Sequence, residues 1–134
     1  MSKNSSQEKK KAVIGDIALI LMAMKDQMKI YHWRTNKYSR HIASDALVAQ
    51  LSENTDKFIE IIQGKYGVRL DVTDKSIIVD NYDDNEILAV MKEFVKFLSV
   101  DLPKFISKKD TDLLTIRDDM LADMNKGLYL FSLE

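Results

Sequence analysis

Residues 68–82 read VRLDVTDKSIIVDNY and interrupt a sequence that is otherwise patterned for helices. The stretch is polar and β-branched, with Ile77, Ile78 and Val79 in a row. It lacks the spacing of apolar residues that marks an amphipathic helix. With about fifteen residues it is longer than the usual connection between two helices of a bundle. The chain therefore has room here to cross a helical bundle from one end to the other.

Two predicted helices precede this stretch. The first runs from near Ser5 to about Asn36, with apolar side chains at helical spacing and with Ser5 and Glu8 at the spacing of a capping box. The second starts near Ser39 and stops at Gly67, which suits a left-handed C-cap. Only a few residues separate these helices, so we expect an antiparallel hairpin.

Two more predicted helices follow it. The third begins at Asp83, with Glu86 as its capping partner, and frays near Pro103. The fourth runs from about Asp110 to Leu130, and the short link between them predicts a second antiparallel hairpin. Two hairpins joined by one long crossover is the arrangement of ferritin-like four-helix bundles. The predicted fold class is therefore all-α, a ferritin-like four-helix bundle.

Composition agrees with one helical domain over residues 1–134, with residues 1–8 as a flexible, lysine-containing tail. The chain has 46% hydrophobic residues but only four glycines and one proline, which favours long helices. The absence of cysteine excludes disulfides and cysteine-based zinc or iron–sulfur sites. A net charge of −1 does not suit a general polyanion binder. No apolar run reaches the roughly 18 residues of a transmembrane helix. We expect a cytoplasmic protein, or a virion protein if the source is viral.

The two histidines of the chain flank the first predicted turn. His32 precedes the turn and His41 follows it, so an antiparallel hairpin brings both to one level. Asp45 follows His41 by four residues and shares its helix face. His32, His41 and Asp45 can therefore converge and supply nitrogen and oxygen ligands suited to iron or another divalent transition metal.

A second acidic pair, Asp56 and Glu60, lies further along the second helix. Asp45 and Asp56 are about 16 Å apart along the helix axis. One metal centre cannot span that distance, because two bridged ions lie about 3.5–4 Å apart. If the second helix packs antiparallel against its copy, the histidine end of one chain meets the acidic end of the other. A closed two-fold dimer would then hold two identical sites.

These residues resemble the ferroxidase region of Dps-type mini-ferritins. In that family a His-Trp pair ends the first helix, a second histidine opens the next, an acid follows at four, and an Asp-x-x-x-Glu pair comes eleven further on. The matching residues here are His32-Trp33, His41, Asp45, Asp56 and Glu60. The resemblance covers residues 32–67, about a quarter of the chain. The same region also resembles poorly characterised ferritin-like proteins of phages and large viruses.

The resemblance implies an iron-binding ferroxidase that oxidises Fe(II) with peroxide or dioxygen and stores or detoxifies iron under oxidative stress. The implied catalytic and metal-binding residues are His32, His41, Asp45, Asp56 and Glu60. The implied partner is the protein itself, as a two-fold dimer and a larger shell. Trp33 would be either a redox-active neighbour of the site or a buried anchor. The interval between the two histidines is shorter than the family usually has.

Alternative interpretations stay open. The shorter histidine interval favours a structural or scaffolding bundle that has lost the chemistry. The second alternative is a DNA-compacting protein that works through a lysine-containing start, which resembles the basic tails of Dps proteins that bind DNA. Four lysines would give weak, salt-sensitive binding; they are Lys3, Lys9, Lys10 and Lys11. An acidic cluster on the last helix would line an iron-entry pore or form a solvated face; it comprises Asp118, Asp119 and Asp123. The Glu-x-x-His signature of a single-chain di-iron site is absent.

Overall fold

The computed structural model describes residues 3–133, with side chains from Ser5 onward, and this part of the chain is helical without strands. Its four α-helices are α1 (Lys3–Arg34), α2 (Tyr38–Tyr66), α3 (Glu86–Lys96) and α4 (Thr111–Phe131). A π-helical turn (Phe97–Asp101) and a 3-10 turn (Leu102–Phe105) extend α3, where fraying was predicted. The prediction of an all-α chain with four helices is confirmed.

The ends of the helices follow the sequence signals except at the start of α1. Because α1 begins at Lys3, residues 3–8 are helical where a flexible tail was predicted, and residues 1–2 lie outside the described part. The predicted cap at Ser5 is wrong because Ser5 lies inside α1, and Glu8 instead pairs with Lys11 at 3.1 Å. At the end of α2, Gly67 has φ 66° and donates its N–H to the Gln63 carbonyl, as predicted.

The capping pair predicted for the third helix is present. The Asp83 carboxylate accepts the Glu86 N–H at 2.8 Å, and the Glu86 carboxylate accepts the Asp83 N–H at 3.1 Å. Two donors that the helix leaves without partners are thereby satisfied. The regular hydrogen bonding of α3 begins three residues after the cap, at Glu86.

The core lies between the four helices and is built from aliphatic, aromatic and methionine side chains. Five methionines are fully buried in this core, whereas Met22 is 38% exposed on the outer side of α1. The flexible thioether suits the irregular gaps between crossing helices. The five buried methionines are Met24, Met28, Met91, Met120 and Met124.

Contacts at the two ends of the bundle define the helix directions. At one end, the Arg40 guanidinium of α2 donates to the Phe131 carbonyl at the end of α4. At the other end, the Tyr66 hydroxyl of α2 donates to Asp110 just before α4. Helix α4 therefore runs antiparallel to α2, as α1 does.

Residues 67–85, which we call the crossover, follow α1 along its length. The Asp71 N–H donates to the Lys11 carbonyl near the start of α1 at 3.0 Å. Near the end of α1, the Thr35 hydroxyl donates to the Asp84 carboxylate at 2.9 Å. The crossover thus returns the chain to the end where α2 began, so α3 runs parallel to α2. None of the helices in residues 3–133 is long and apolar enough to cross a membrane.

Candidate metal site

The two histidines lie against each other across the turn between α1 and α2. That turn has three residues, 35–37, and the Thr35 hydroxyl accepts the Lys37 N–H at 3.1 Å. The short turn holds the His32 and His41 rings 4.0 Å apart and nearly parallel, with an interplanar angle of 14°. The structure therefore brings together the two side chains that the sequence analysis placed at one level.

Each histidine ring is oriented by the backbone of the other. Nδ1 of His32 lies 2.7 Å from the His41 carbonyl oxygen, and Nδ1 of His41 lies 2.9 Å from the His32 carbonyl oxygen. A carbonyl oxygen only accepts, so both Nδ1 atoms carry their proton. In the neutral imidazole, Nε2 then holds a free lone pair on both rings. This is the tautomer that a metal-binding histidine needs, and the carbonyl is a common partner for its other nitrogen.

Ser44 is a buried residue of this arrangement that the sequence analysis missed. Its hydroxyl donates to the His41 carbonyl at 3.1 Å and lies 3.0 Å from Nδ1 of His32. It therefore ties both rings to the first turns of α2. The available signal was its position three residues after His41 in a helix, where serine commonly bonds back to the chain.

Asp45 approaches only one of the two rings. Its carboxylate lies 3.9 Å from Nε2 of His32 and 3.9 Å from the Lys29 ammonium, with the side chain 67% exposed. Its exposed carboxylate can therefore accept a ligand or partner from outside the chain. Trp33, at 69% exposed, is not a buried anchor in the single chain, and the Lys29 ammonium lies over its ring at 5.4 Å.

Asp56 and Glu60 lie further along α2, with exposed side chains. Neither residue forms a contact with the histidines in one chain. Among the described residues, no group of three or more His, Cys, Asp or Glu side chains of one chain is placed to hold a metal ion. The five predicted site residues thus form two separate groups in the α1–α2 hairpin. The three acids are exposed, whereas His32 is buried and His41 is half-buried.

A groove of about 390 Å³ runs between α1 and α2, about one helical turn from the histidine pair. Asp45 lies at its edge, and both charges and small side chains line it: Lys25, Asp26, Lys29, Asp45, Val48, Ala49 and Ser52. Small residues on an outer helix face allow close approach of another helix. The groove therefore brings small and charged side chains together beside the exposed carboxylate of Asp45.

A buried polar network lies directly behind the histidines. The Tyr31 hydroxyl donates to the Asp84 carboxylate at 2.6 Å and accepts from the Arg40 guanidinium at 3.0 Å. Burial raises the pKa of Tyr31, and the hydrogen bond from Tyr31 lowers the pKa of Asp84. Tyr31 and Arg40 adjoin His32 and His41 in the sequence, so this network holds both helix ends of the turn in place. The sequence does not indicate this network, because Asp84 is remote from Tyr31 and Arg40 in the chain.

The acidic cluster of α4 and the lysines at the start of α1 lie apart from the histidine pair. Asp118 pairs with Arg117 at 2.8 Å, and Asp119 is exposed. Asp123 is half-buried, and burial raises its pKa. Lys9 and Lys10 are exposed on α1, as expected for either interpretation of the lysine-containing start.

Comparison with known proteins assigns the chain to a family. A family model described as a family of unknown function, DUF5856, matches residues 32–131. The chain belongs to this family. No curated protein and no solved structure matches it. The DUF5856 match begins at His32 and spans both histidines, all three acids and the helices α2 to α4.

Proposed function

We propose that this protein is a ferritin-like iron-oxidising protein whose two reaction sites are each shared between two copies of the chain. The arrangement of two hairpins and a full-length crossover supports a ferritin-like bundle. The resemblance to Dps-type mini-ferritins supports Fe(II) as the substrate, with peroxide or dioxygen as oxidant and iron storage or detoxification as the outcome.

The reciprocal histidine pair is the observation on which the proposal depends. Both rings use Nδ1 for a backbone carbonyl, which leaves the Nε2 lone pair of each neutral ring for another partner; His32 is 7% exposed and His41 is half-buried. A structural pair would also bond its N–H groups; what supports a ligand is that, within the described part of the chain, Nε2 of His32 has only the Asp45 carboxylate nearby, at 3.9 Å. Iron is bound well by imidazole nitrogen together with carboxylate oxygen, and Asp45 supplies the first oxygen.

The remaining ligands come from the partner in this proposal. With α2 packed antiparallel on its copy, Asp56 and Glu60 of one chain reach the histidine end of the other. Carboxylates supply the oxygen ligands that bridge and stabilise two ferric ions. Two Fe(II) ions give up one electron each, which together reduce one peroxide to two hydroxide ions. The protein positions the ions and leaves coordination positions open for the oxidant.

Mixing two inactive variants tests whether the site is shared. The first variant carries His32→Ala and His41→Ala, and the second carries Asp56→Ala and Glu60→Ala. Each alone is expected to lack rapid Fe(II) oxidation, because every site in its homodimer lacks half of its ligands. After subunit exchange, half of the dimers are mixed, and each mixed dimer has one complete site. About a quarter of the wild-type rate is then expected to return.

The control removes the same amount of charge elsewhere. Asp118→Ala with Asp119→Ala changes two exposed acids of α4 and is expected to leave oxidation and helix content unchanged. If mass spectrometry confirms exchange and the mixture stays inactive, the shared site is wrong. Wild-type protein that does not oxidise Fe(II) faster than buffer would favour the scaffolding alternative.

A further inference from the structure

A pocket lies at the end of the bundle where α1 begins and α2 ends, away from the histidine pair. Its volume is about 340 Å³. Two buried core residues line it, Ile14 of α1 and Ile62 of α2, together with Tyr66 and the 49% exposed ring of Phe105. Proteins bind small organic molecules in pockets of about 300–1,000 Å³, so this pocket suits a ligand at the small end of that range.

Polar and apolar side chains follow each other in order along the α1 side of the pocket. Ser6, Lys9 and Lys10 come first and are exposed. Val13 and Ile14 follow one turn later. The spacing of three to four residues places all five side chains on one face of the helix. One end of the pocket is therefore positively charged and the other is apolar.

The acidic residues beside the pocket are bound to other groups. The Asp110 carboxylate accepts the Tyr66 hydroxyl at 2.6 Å. The Lys65 ammonium lies 2.9 Å from Asp110 and 2.8 Å from Asp112. On α1, Glu8 pairs with Lys11. None of the described residues that line the pocket is acidic, so its polar end lacks a negative charge of its own.

The two lysines at the polar end carry charges that the chain does not neutralise. Neither Lys9 nor Lys10 forms an ion pair within residues 5–133. The Lys10 ammonium lies 5.6 Å from the centre of the Tyr66 ring, which keeps it at the edge of the pocket. An anion at this edge would meet two ammonium groups without displacing a carboxylate.

We propose that this pocket binds a medium-chain fatty acid. Its alkyl chain lies against Ile14, Ile62 and Phe105 and covers part of the Phe105 ring. Its carboxylate lies at Lys9 and Lys10, where charge-assisted hydrogen bonds form. The ligand thus matches the pocket at both ends, with its charge at the lysines and its apolar part among the core residues.

The pocket lies apart from the proposed iron site. Two residues along a helix differ in direction by about 200°, so Ile62 and Glu60 lie on opposite sides of α2. Ile62 is buried in the core, whereas Glu60 is exposed on the face that meets the partner in the proposed dimer. Fatty-acid binding therefore goes beyond the proposed function and does not depend on it.

Isothermal titration calorimetry of the full chain with octanoate, below the concentration at which octanoate forms micelles, tests the pocket. Saturable binding of one octanoate per chain is expected. Hexanoate should bind about 10- to 20-fold more weakly, because each buried CH₂ group strengthens binding about fourfold. Octylammonium has the same chain and the opposite charge, and it should show no saturable binding.

One pair of substitutions tests the charged end. Lys9→Gln with Lys10→Gln is expected to weaken octanoate binding about 2- to 30-fold, the effect of losing two exposed ion pairs. Lys96→Gln with Lys126→Gln removes two exposed lysines of α3 and α4 and should leave the affinity unchanged.

A second variant tests the apolar end. Phe105→Ala is expected to weaken octanoate binding about tenfold. Because Phe105 is half exposed, helix content by circular dichroism should stay the same. Tyr129→Ala, which removes an exposed aromatic side chain of α4, is the control and should bind octanoate like the wild type. Wild-type protein without saturable binding would overturn the proposal, as would octylammonium binding as tightly as octanoate. Unchanged affinity in either pocket variant would also overturn it, because octanoate would then lie elsewhere.

Discussion

Replacing Gly15 by alanine is expected to loosen the crossover from α1. A Cβ atom at Gly15 would lie 2.0 Å from the Asp71 carbonyl oxygen, 2.8 Å from its carbon and 3.3 Å from Cγ1 of Val72. The obstacle is backbone, so the crossover has to move by more than an ångström. The Asp71 N–H bond to the Lys11 carbonyl, 3.0 Å long, would stretch or break with that movement.

The expected free-energy change is the difference of two effects. Forcing an extra carbon into a packed contact typically costs about 1–3 kcal/mol. Alanine in a helix is favoured over glycine by about 0.5–1 kcal/mol, which offsets part of this cost. Gly15→Ala is therefore expected to lower the free energy of unfolding by about 1 kcal/mol, the middle of a range of about 0–2.5 kcal/mol.

Gly64 provides the matched control. It lies in α2 with no atom within 4 Å of an added Cβ, so Gly64→Ala is expected to raise the free energy of unfolding by about 0.5–1 kcal/mol. Urea unfolding followed by circular dichroism, at one protein concentration, measures both variants. If Gly15→Ala is as stable as Gly64→Ala, the crossover does not lie against α1 at this point and the reasoning fails.

Two further predictions concern buried polar contacts. The hydrogen bond from the Tyr66 hydroxyl, with further donors from the backbone and a lysine, lowers the pKa of Asp110 to about 2. Because its pKa is lower in the folded than in the unfolded protein, the Asp110 carboxylate stabilises the fold above about pH 4, and this stabilisation is lost as the pH falls toward 2. Asp110→Asn should remove about 2 kcal/mol of the free energy of unfolding that depends on pH in this range, as measured by urea unfolding. Tyr31→Phe removes the hydroxyl that donates to Asp84 and should cost about 1–3 kcal/mol, whereas Tyr129→Phe, at 63% exposed, should leave the unfolding midpoint unchanged.

The sequence predicted which histidines lie close together, but it did not predict the hydrogen bonds that orient their rings. Helical spacing correctly put His32 and His41 at one level, and it put Asp45 near them. The sequence did not indicate that each imidazole would bond the other residue's carbonyl, nor that Ser44 would join them. Those bonds depend on the turn of residues 35–37, because its three residues hold the end of α1 beside the start of α2. Whether Asp56 and Glu60 complete the site stays a prediction.

The path of the crossover along α1 could likewise not be predicted from the sequence. Its lack of helical period was visible in the sequence, and so was its length. Its path was not, because it depends on Gln27, which reads as an ordinary polar residue of α1 but bonds Asp80. It also depends on Gly15, which reads as a weak point in a helix but is the place where a backbone passes close by.

Local sequence pattern was enough to predict the four helices, the helix faces that carry apolar side chains and most of the helix ends. These features depend on side chains within one or two turns of each other, such as Asp83 with Glu86 or Gly67 with Gln63, so local pattern is enough. The tertiary structure alone decided the histidine tautomers, the attachment of the crossover and the exposure of Ile78. Each of these requires groups that are distant in the chain to meet, and the packing of the whole bundle sets those distances.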